Sequence, residues 1–178
     1  ILSGTASHHA AAERQYRYPT QYGGQKPPTA QWTVTGAGCA LVAKDGDGPV
    51  ITSATIGKVI DMGLTDPFNM GGAMAPAAAD TIIRHLYDLN VDIHYYDYII
   101  TGDLGEVGLS AAYELLSKKG IDVPEGKLID CGLTIYSKDQ AVHAGASGSA
   151  SSAVATYGHF IKRMNKGEPQ MNLKKQKI

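Results

Sequence analysis

The sequence predicts an α/β protein with a mostly parallel sheet covered by helices. Apolar stripes repeat at helical spacing over residues 79–86, 109–116 and 154–164, and short apolar segments that indicate buried strands stand between them. Strands that alternate with helices of about a dozen residues are typical of a parallel sheet, whose ligands bind at the carboxyl ends of the strands. Two loops follow predicted strands in this way: TGDLGEVG after Thr101 and DQAVHAGASGS after Ile135.

The composition of the 178-residue chain excludes several classes of protein. With 43% hydrophobic and 19% charged residues, it has the composition of a soluble globular domain with one sizeable core. Sixteen basic and seventeen acidic residues give a net charge of −1, so we expect no nucleic-acid partner. No apolar stretch approaches the roughly 18 residues of a transmembrane helix. The two cysteines form no CxxC motif and favour reduced thiols, so we expect an intracellular protein.

The N-terminal third departs from the alternation of strands and helices. The chain starts at Ile1 inside the apolar letters ILSG, which predicts a start within a strand and further sequence upstream. Residues 33–43 and 50–60 are rich in β-branched side chains and are separated by the turn letters KDGDGP, so they predict an antiparallel pair. The aromatic, proline and glycine residues before Trp32 predict an ordered loop that follows a short helix over residues 10–16.

Apolar periodicity predicts the remaining elements. Residues at i, i+3, i+4 and i+7 from Ala79 predict a helix from Pro76, which suits a first turn, to about Leu89. YDYIITG predicts a short buried strand, and a second stripe from Leu109 predicts a helix that Gly120 closes. KLIDCGLTIY is the next predicted strand, and a third apolar stripe predicts the last helix.

The spacing of residues excludes several catalytic and metal-binding motifs. The glycines that end at Gly126-Lys127 are one residue too far apart for a phosphate loop, and Leu128 stands where a metal-binding hydroxyl is required. The segment from Gly145 to Ser149 does not match the nucleophile elbow of serine hydrolases, because its second glycine falls one position early. The six histidines form no HExxH and no zinc spacing, so we expect no metal site and assign no cofactor.

One stretch, HAGASGSASSA (143–153), places a histidine before ten alanine, glycine and serine residues. This composition is typical of a flexible linker. However, the apolar stripe up to Met164 continues directly from it, which favours a loop that enters a helix. A serine at 147 or 149 could cap that helix, and free amides at its start favour a carboxylate or phosphate. The alternative is that small residues only let the helix pack closely on a neighbour.

Five long phrases lie in one collinear run over about residues 1–168: ERQYRYPTQYGGQKPPTAQWTVTGAG, GLTDPFNMGGAMAPAAADTI, YDYIITGDLG, DCGLTIY and HAGASGSASSAV. Together they resemble the sporulation branch of the thiolase and ketoacyl-synthase superfamily. The resemblance implies a thiolase-like fold, in which two similar α/β halves each follow the order βαβαβαββ and the protein forms a homodimer.

The same resemblance divides the chain into three parts. Residues 1–48 correspond to the end of the first half with a capping loop, and residues 49–166 correspond to the second half without its C-terminal strands. Residues 167–178 form a polar, basic tail, whereas the superfamily continues there into a buried strand. The chain therefore looks like an internal to C-terminal fragment, and its unpaired sheet edges argue against autonomous folding.

The resemblance also locates the catalytic positions of the superfamily. Condensing enzymes use a cysteine from the first half, whose region lies upstream of this chain, so neither Cys39 nor Cys131 takes that role. Gly102 stands where a catalytic histidine would be, and Ala146 stands where an asparagine would be. Neither side chain can transfer a proton or hold an oxyanion. His143 matches the histidine of the thiolase GHP loop if a gap is allowed.

The resemblance implies a non-enzymatic protein that binds dipicolinic acid and takes part in its uptake into the developing spore. Amide and hydroxyl donors suit the two carboxylates of this ligand, and its binding needs no general base. The residues expected at the ligand are Gly102, Asp103, His143, Gly145, Ser147 and Ser149. The implied partners are a second copy of the protein and other subunits of the spore dipicolinate channel, at the spore inner membrane.

Two alternatives to this function stay open at the level of the sequence. The first is an acyl-transferring thiolase or ketoacyl synthase, in which His143 serves as the base for an upstream cysteine. The second is a structural or truncated product whose ligand pocket is incomplete.

Overall fold

The computed structural model describes residues 1–8, 27–140 and 142–167, which form a mixed α/β arrangement. The strands are β1 (Leu2–Ser7), β2 (Trp32–Thr33), β3 (Gly36–Leu41), β4 (Ile99–Thr101), β5 (Leu128–Asp130) and β6 (Ala146–Ser147). The α-helices are α1 (Met70–Leu89), α2 (Gly105–Ser117), α3 (Ala150–Ala155) and α4 (Ile161–Asn165). A 3-10 turn (Cys131–Leu133) and a π-helical turn (Thr156–Phe160) complete the described elements.

Helix α1 begins at Met70 and not at the predicted Pro76. Asn69 caps the helix, since its side-chain oxygen accepts a hydrogen bond from the Gly72 N–H at 2.9 Å. Pro76 lies inside the helix, where its ring removes the N–H that would bond the carbonyl of Gly72. The predicted end is confirmed, because α1 stops before Asn90, whose φ of 53° is left-handed. The proline was misleading because an asparagine cap fixes the start.

Helices α1 and α2 cross at two facing glycines. A Cβ atom on Gly108 would lie 2.6 Å from the carbonyl oxygen of Gly71, and a Cβ atom on Gly71 would overlap the carbonyl oxygen of Leu104. This close approach lets the two helices enclose the largest buried apolar cluster of the described residues. Its members are Ala75, Ala79, Leu104, Ala112, Leu116 and Leu128. The second predicted helix is confirmed, and Gly120 follows it with a φ of 77°.

The described strands form three separate two-stranded sheets. β4 pairs parallel with β5, with Ile99 opposite Leu128, and β2 pairs parallel with β6. β1 pairs antiparallel with β3, with Leu2 opposite Leu41. The expected mostly parallel sheet is therefore found only in part: two pairs are parallel, but no sheet in the described ranges has a third strand.

The predicted antiparallel pair of residues 33–43 and 50–60 is wrong. β3 pairs with β1 instead, and residues 50–60 have no strand partner in the part of the chain that the structure describes. They pass beside α1, where the Thr55 hydroxyl lies 2.7 Å from Nδ1 of His85. β-branched composition indicates extended backbone but does not identify the strand with which it pairs.

The last predicted strand is shorter than expected, and the last predicted helix is confirmed. β5 ends at Asp130 because the chain turns into the 3-10 helix. α3, the π-helical turn and α4 follow one another directly from residue 150 to residue 165. Ala155 and Phe160 of this run pack against Ile129 of β5. The segment after HAGASGS is therefore a packed helix and not a linker.

Some predictions concern residues that the structure does not describe. The short helix over residues 10–16 and the tail from residue 168 onwards lie outside the described residues. The division into residues 1–48, 49–166 and 167–178 stays a prediction. Within the described ranges, no helix has the length and apolar character needed to span a bilayer.

Candidate functional site

The two loops expected to carry the site lie against each other. The TGDLG loop (residues 101–105) ends β4 and leads into α2, and the HAGASGS loop (residues 143–149) contains β6 and leads into α3. Oδ2 of Asp103 in the first loop accepts a hydrogen bond from the Gly148 N–H of the second at 2.9 Å. The structure therefore brings together two segments that are about 40 residues apart in the sequence.

Gln31 joins the same two loops from the N-terminal part of the chain. Its Nε2 donates to the carbonyl oxygens of Asp103 and Ala146, both at 2.8 Å. The side chain is 7% exposed, and its Oε1 has no hydrogen-bond partner among the described residues. Gly105 leaves the necessary space, because a Cβ atom there would lie 2.7 Å from Nε2 of Gln31. Gln31 thus fixes the distance between the two loop backbones.

Asp130 holds the TGDLG loop from the end of β5. Its Oδ1 accepts from the Thr101 hydroxyl at 2.7 Å and from the Leu104 N–H at 2.9 Å, and its Oδ2 accepts from the Gly105 N–H at 3.0 Å. The side chain is 1% exposed. Leu104 stands at the N-cap of α2, and its side chain makes no capping hydrogen bond. Asp130 therefore supplies the acceptor that a local cap residue would normally provide.

The start of α3 differs from the open anion site that the sequence predicted. Ser149 precedes the helix, but its hydroxyl donates to the carbonyl oxygen of Ala6 at 3.2 Å and does not cap α3. The Gly148 N–H already donates to the TGDLG loop, and the Ala150 N–H donates to the Ser7 hydroxyl at 3.2 Å. The end of β1 lies beside the helix, so protein groups occupy amides that we expected to be free.

Two buried serine hydroxyls in this region lack a protein partner among the described residues. Ser147 of β6 is 1% exposed and Ser151 of α3 is 0% exposed, and neither Oγ atom has a hydrogen bond within the described ranges. Buried hydroxyls are normally satisfied by protein, by ordered water or by a ligand. These groups therefore have unused capacity to donate to a bound molecule or a water.

The three remaining predicted site residues lie on the same loops in different environments. His143 is exposed and has a left-handed φ of 54°, which is uncommon outside glycine. Gly145 is buried with a φ of 109°, and a Cβ atom there would lie 2.8 Å from the Leu133 side chain. Gly102 is partly buried at the end of β4. The imidazole is thus available from solvent, whereas Gly145 permits close backbone packing.

Burial changes the acid–base behaviour of Asp103. Loss of solvent raises the pKa of its carboxyl above the ordinary aspartate value. The hydrogen bond from Gly148 lowers this pKa, and the negative charge of Asp130 raises it. Because burial is the largest of these effects, Asp103 carries a proton at a higher pH than a solvated aspartate does.

The described residues near the loops include no activated thiol. Burial raises the pKa of the Cys131 thiol to about 11, and the thiolate is the nucleophilic form of cysteine. Cys39 lies exposed on β3. Nowhere in the described ranges do three His, Cys, Asp or Glu side chains come close enough to hold a metal ion.

Comparison with known proteins identifies the family. The family model of stage V sporulation protein AD matches residues 1–174 of the chain. The chain belongs to the stage V sporulation protein AD family. The expected resemblance to a sporulation family is confirmed, and membership of this family is consistent with a role in spore formation.

A relative of known name matches nearly the whole chain. Stage V sporulation protein AD of Bacillus subtilis (strain 168) is 54% identical over 167 residues, which cover 94% of this chain and 49% of the relative. The chain therefore spans about half the length of this curated relative.

Two residues that organise the loops of this stage V sporulation protein AD family member were not among the predicted site residues. Asp130 lies inside the predicted strand KLIDCGLTIY, and an aspartate within a strand expected to be buried was the available signal. Gln31 lies in a loop in the N-terminal third and has no local pattern that indicates its contacts. Only the folded structure places its amide between Asp103 and Ala146.

Proposed function

We propose that the chain is a non-catalytic, thiolase-like protein of spore formation that binds dipicolinic acid and takes part in its uptake into the developing spore. Membership of the stage V sporulation protein AD family is the observation that carries this proposal. The thiolase-like fold is part of it, and the parallel pairs β2–β6 and β4–β5 support that fold.

The chemistry of the two loops supports binding more than catalysis. Gly102 and Ala146 occupy the positions aligned with catalytic residues of condensing enzymes, and neither side chain can exchange a proton. The carbonyl oxygen of Ala146 is also occupied, because it accepts a hydrogen bond from Gln31. The alternative of an acyl-transferring enzyme requires a cysteine nucleophile upstream of this chain, and the buried Cys131 thiol, with a pKa of about 11, is no substitute for it.

A planar aromatic ligand with two carboxylates needs donors from more than one direction. The exposed His143 imidazole supplies an accessible N–H at the start of the HAGASGS loop. The Ser147 hydroxyl adds a buried donor that has no protein partner among the described residues. Gly145 lets the backbone of the HAGASGS loop pack closely between these two residues. The proposed contacts of the ligand are therefore His143, Ser147 and the carboxyl group of Asp103.

The partners and location of the protein are part of the same proposal. We infer a homodimer, contact with other subunits of the spore dipicolinate channel, and a peripheral position at the spore inner membrane. Large apolar side chains in residues 50–64 are exposed, and Val59 is 97% exposed. Apolar surface of this extent is typical of a protein interface, which supports association with further polypeptide.

Calorimetric titration tests the ligand proposal. We expect dipicolinate to bind the chain, and we expect His143→Ala to weaken binding about tenfold, because a hydrogen bond to a carboxylate is lost. His94→Ala is the matched control, since His94 is also exposed but lies outside both loops, and its affinity should equal that of the unmodified chain. The Bacillus subtilis relative is titrated with dipicolinate in the same way for comparison.

Two results of this titration, and one result of a separate labelling experiment, would count against the proposal. The chain fails as a dipicolinate-binding protein if the relative binds dipicolinate and the chain gives only the heat of dilution. Equal losses in His143→Ala and His94→Ala would remove His143 from the site. A covalent acyl adduct on the chain after incubation with acyl-CoA, detected by mass spectrometry, would favour the enzymatic alternative.

A further inference from the structure

A second carboxylate, that of Asp130, contacts the backbone that follows Asp103. Asp130 accepts hydrogen bonds from the amides of Leu104 and Gly105, which are the two residues that follow Asp103 in the TGDLG loop. Asp130 also accepts from Thr101, so all three of these partners are donors. This arrangement suits an ionised carboxylate, which can only accept hydrogen bonds.

The two oxygens of Asp103 are in different situations. Oδ2 accepts from the Gly148 N–H at 2.9 Å, and no described residue hydrogen-bonds to Oδ1. A neutral carboxylic acid can keep the first bond through its carbonyl oxygen and donate from the other oxygen. The geometry therefore allows a proton on Oδ1 without loss of the contact between the loops.

We propose, on the basis of the function proposed above, that Asp103 binds the dicarboxylate in its protonated form. Oδ2 accepts a hydrogen bond from Gly148, the protonated Oδ1 donates a hydrogen bond to a ligand carboxylate, and the charge of Asp130 favours the protonated form. An ionised Asp103 would instead place a third negative charge beside the two of the ligand, and like charges at short distance repel each other. Asp103 is then the residue that makes binding depend on proton uptake.

The surroundings of Asp103 are consistent with this role. Burial and the charge of Asp130 both raise the pKa of Asp103. Cys131, beside Asp130, has a pKa of about 11 and stays neutral. His143, on the facing loop, is the other titratable group of the two loops and is exposed. Gln31, which contacts the backbone of Asp103, carries no charge.

The sign of the pH dependence follows from these groups. Below the pKa of Asp103 in the free protein, the proton is already present and this residue adds no pH dependence to binding. Above that pKa, each binding event takes up one proton at Asp103, so affinity falls about tenfold for each unit of pH. A variant at Asp103 is needed to separate its contribution from that of His143, which lies on the facing loop.

Asp103→Asn is the variant that separates them. Its carboxamide oxygen still accepts from Gly148, and its NH₂ group donates to the ligand at every pH. We expect this variant to bind dipicolinate more tightly than the unmodified chain at pH 8, and we expect this advantage to be smaller at pH 5, by about tenfold for each unit of pH above the pKa of Asp103. Asp103→Ala should bind weakly at both pH values. Asp139→Asn removes an equal charge from an exposed site and should behave like the unmodified chain.

Calorimetry in buffers of different ionisation enthalpy and carboxyl NMR complete the test. The unmodified chain should take up protons on binding at pH 8, and Asp103→Asn should take up fewer. The inference is overturned if Asp103→Asn binds as weakly as Asp103→Ala at both pH values, or if its proton uptake is unchanged. NMR should show Asp103 of the free chain titrating above the ordinary value of 3.8, and a titration at or below 3.8 also overturns it.

These outcomes are distinct from failure of the proposed function. If the unmodified chain binds no dipicolinate at any pH, the proposed function fails. The NMR titration still tests the effect of Asp130 on Asp103, because Asp130→Asn should lower the pKa of Asp103, and an unchanged pKa would contradict the coupling.

Discussion

Gly71→Ala is expected to destabilise the chain by about 3 kcal/mol or more, because overpacking against backbone cannot be relieved by rotation of a side chain. The new Cβ atom would overlap the carbonyl oxygen of Leu104 and lie 2.9 Å from the amide nitrogen of Gly108. Helices α1 and α2 would have to move apart, which would open the apolar cluster between them. Urea denaturation followed by circular dichroism measures the effect.

Gly158→Ala is the matched control for this substitution. Gly158 also lies in a helical segment, but a Cβ atom there meets nothing within 4 Å. Alanine has a higher helix propensity than glycine, so this variant should be as stable as the unmodified chain or slightly more stable. If Gly71→Ala and Gly158→Ala have the same free energy of unfolding, the glycine contact does not determine how α1 and α2 pack.

Asp130→Ala is expected to cost about 4 kcal/mol of stability, because three groups lose this acceptor. The Thr101 hydroxyl keeps the carbonyl oxygen of Ile129 at 3.2 Å, whereas the two amides are left unsatisfied at roughly 1–3 kcal/mol each. The affected groups are the Thr101 hydroxyl and the amides of Leu104 and Gly105. Water can enter and satisfy part of these donors, so the loss of stability should stay below the largest sum of their costs. Hydrogen exchange should show the Leu104 and Gly105 amides losing protection before the rest of α2.

Asp139→Ala serves as the control, since Asp139 is an exposed aspartate outside both loops. Its free energy of unfolding should change by no more than about 0.5 kcal/mol. Unchanged protection of Leu104 and Gly105 in Asp130→Ala would mean that another group caps α2 and that Asp130 does not position the TGDLG loop.

The helices could be predicted from the sequence because their signals are local. The stripes from Ala79, from Leu109 and from Val154 each identify one face of a helical segment, and all three segments are helical in the structure. The start of α1 was misplaced since Pro76 resembled a first-turn residue, whereas Asn69 makes the cap. Local signals therefore identify an element better than they locate its ends.

Strand pairing and the site contacts could not be derived in the same way. Residues 50–60 have the composition of a strand, yet β1 is the strand that pairs with β3. The composition of a segment does not indicate which other segment it pairs with. The predicted serine cap failed for a similar reason, because the Ser149 hydroxyl reaches Ala6, a residue far away in the sequence. The TGDLG loop was predictable as the end of a strand. The HAGASGS loop contains β6 and does not follow the end of β5, and the contact of the Gln31 side chain between the two loops was not predictable.

Backbone NMR shows whether dipicolinate binds at the two facing loops. We would titrate the ¹⁵N-labelled chain with dipicolinate and follow every amide signal. The largest shifts should occur in the TGDLG and HAGASGS loops, including Asp103, His143 and Gly148. Shifts confined to the region around His85 and Tyr96, which lines a separate cavity, would contradict binding at these loops, as would a spectrum that dipicolinate leaves unchanged.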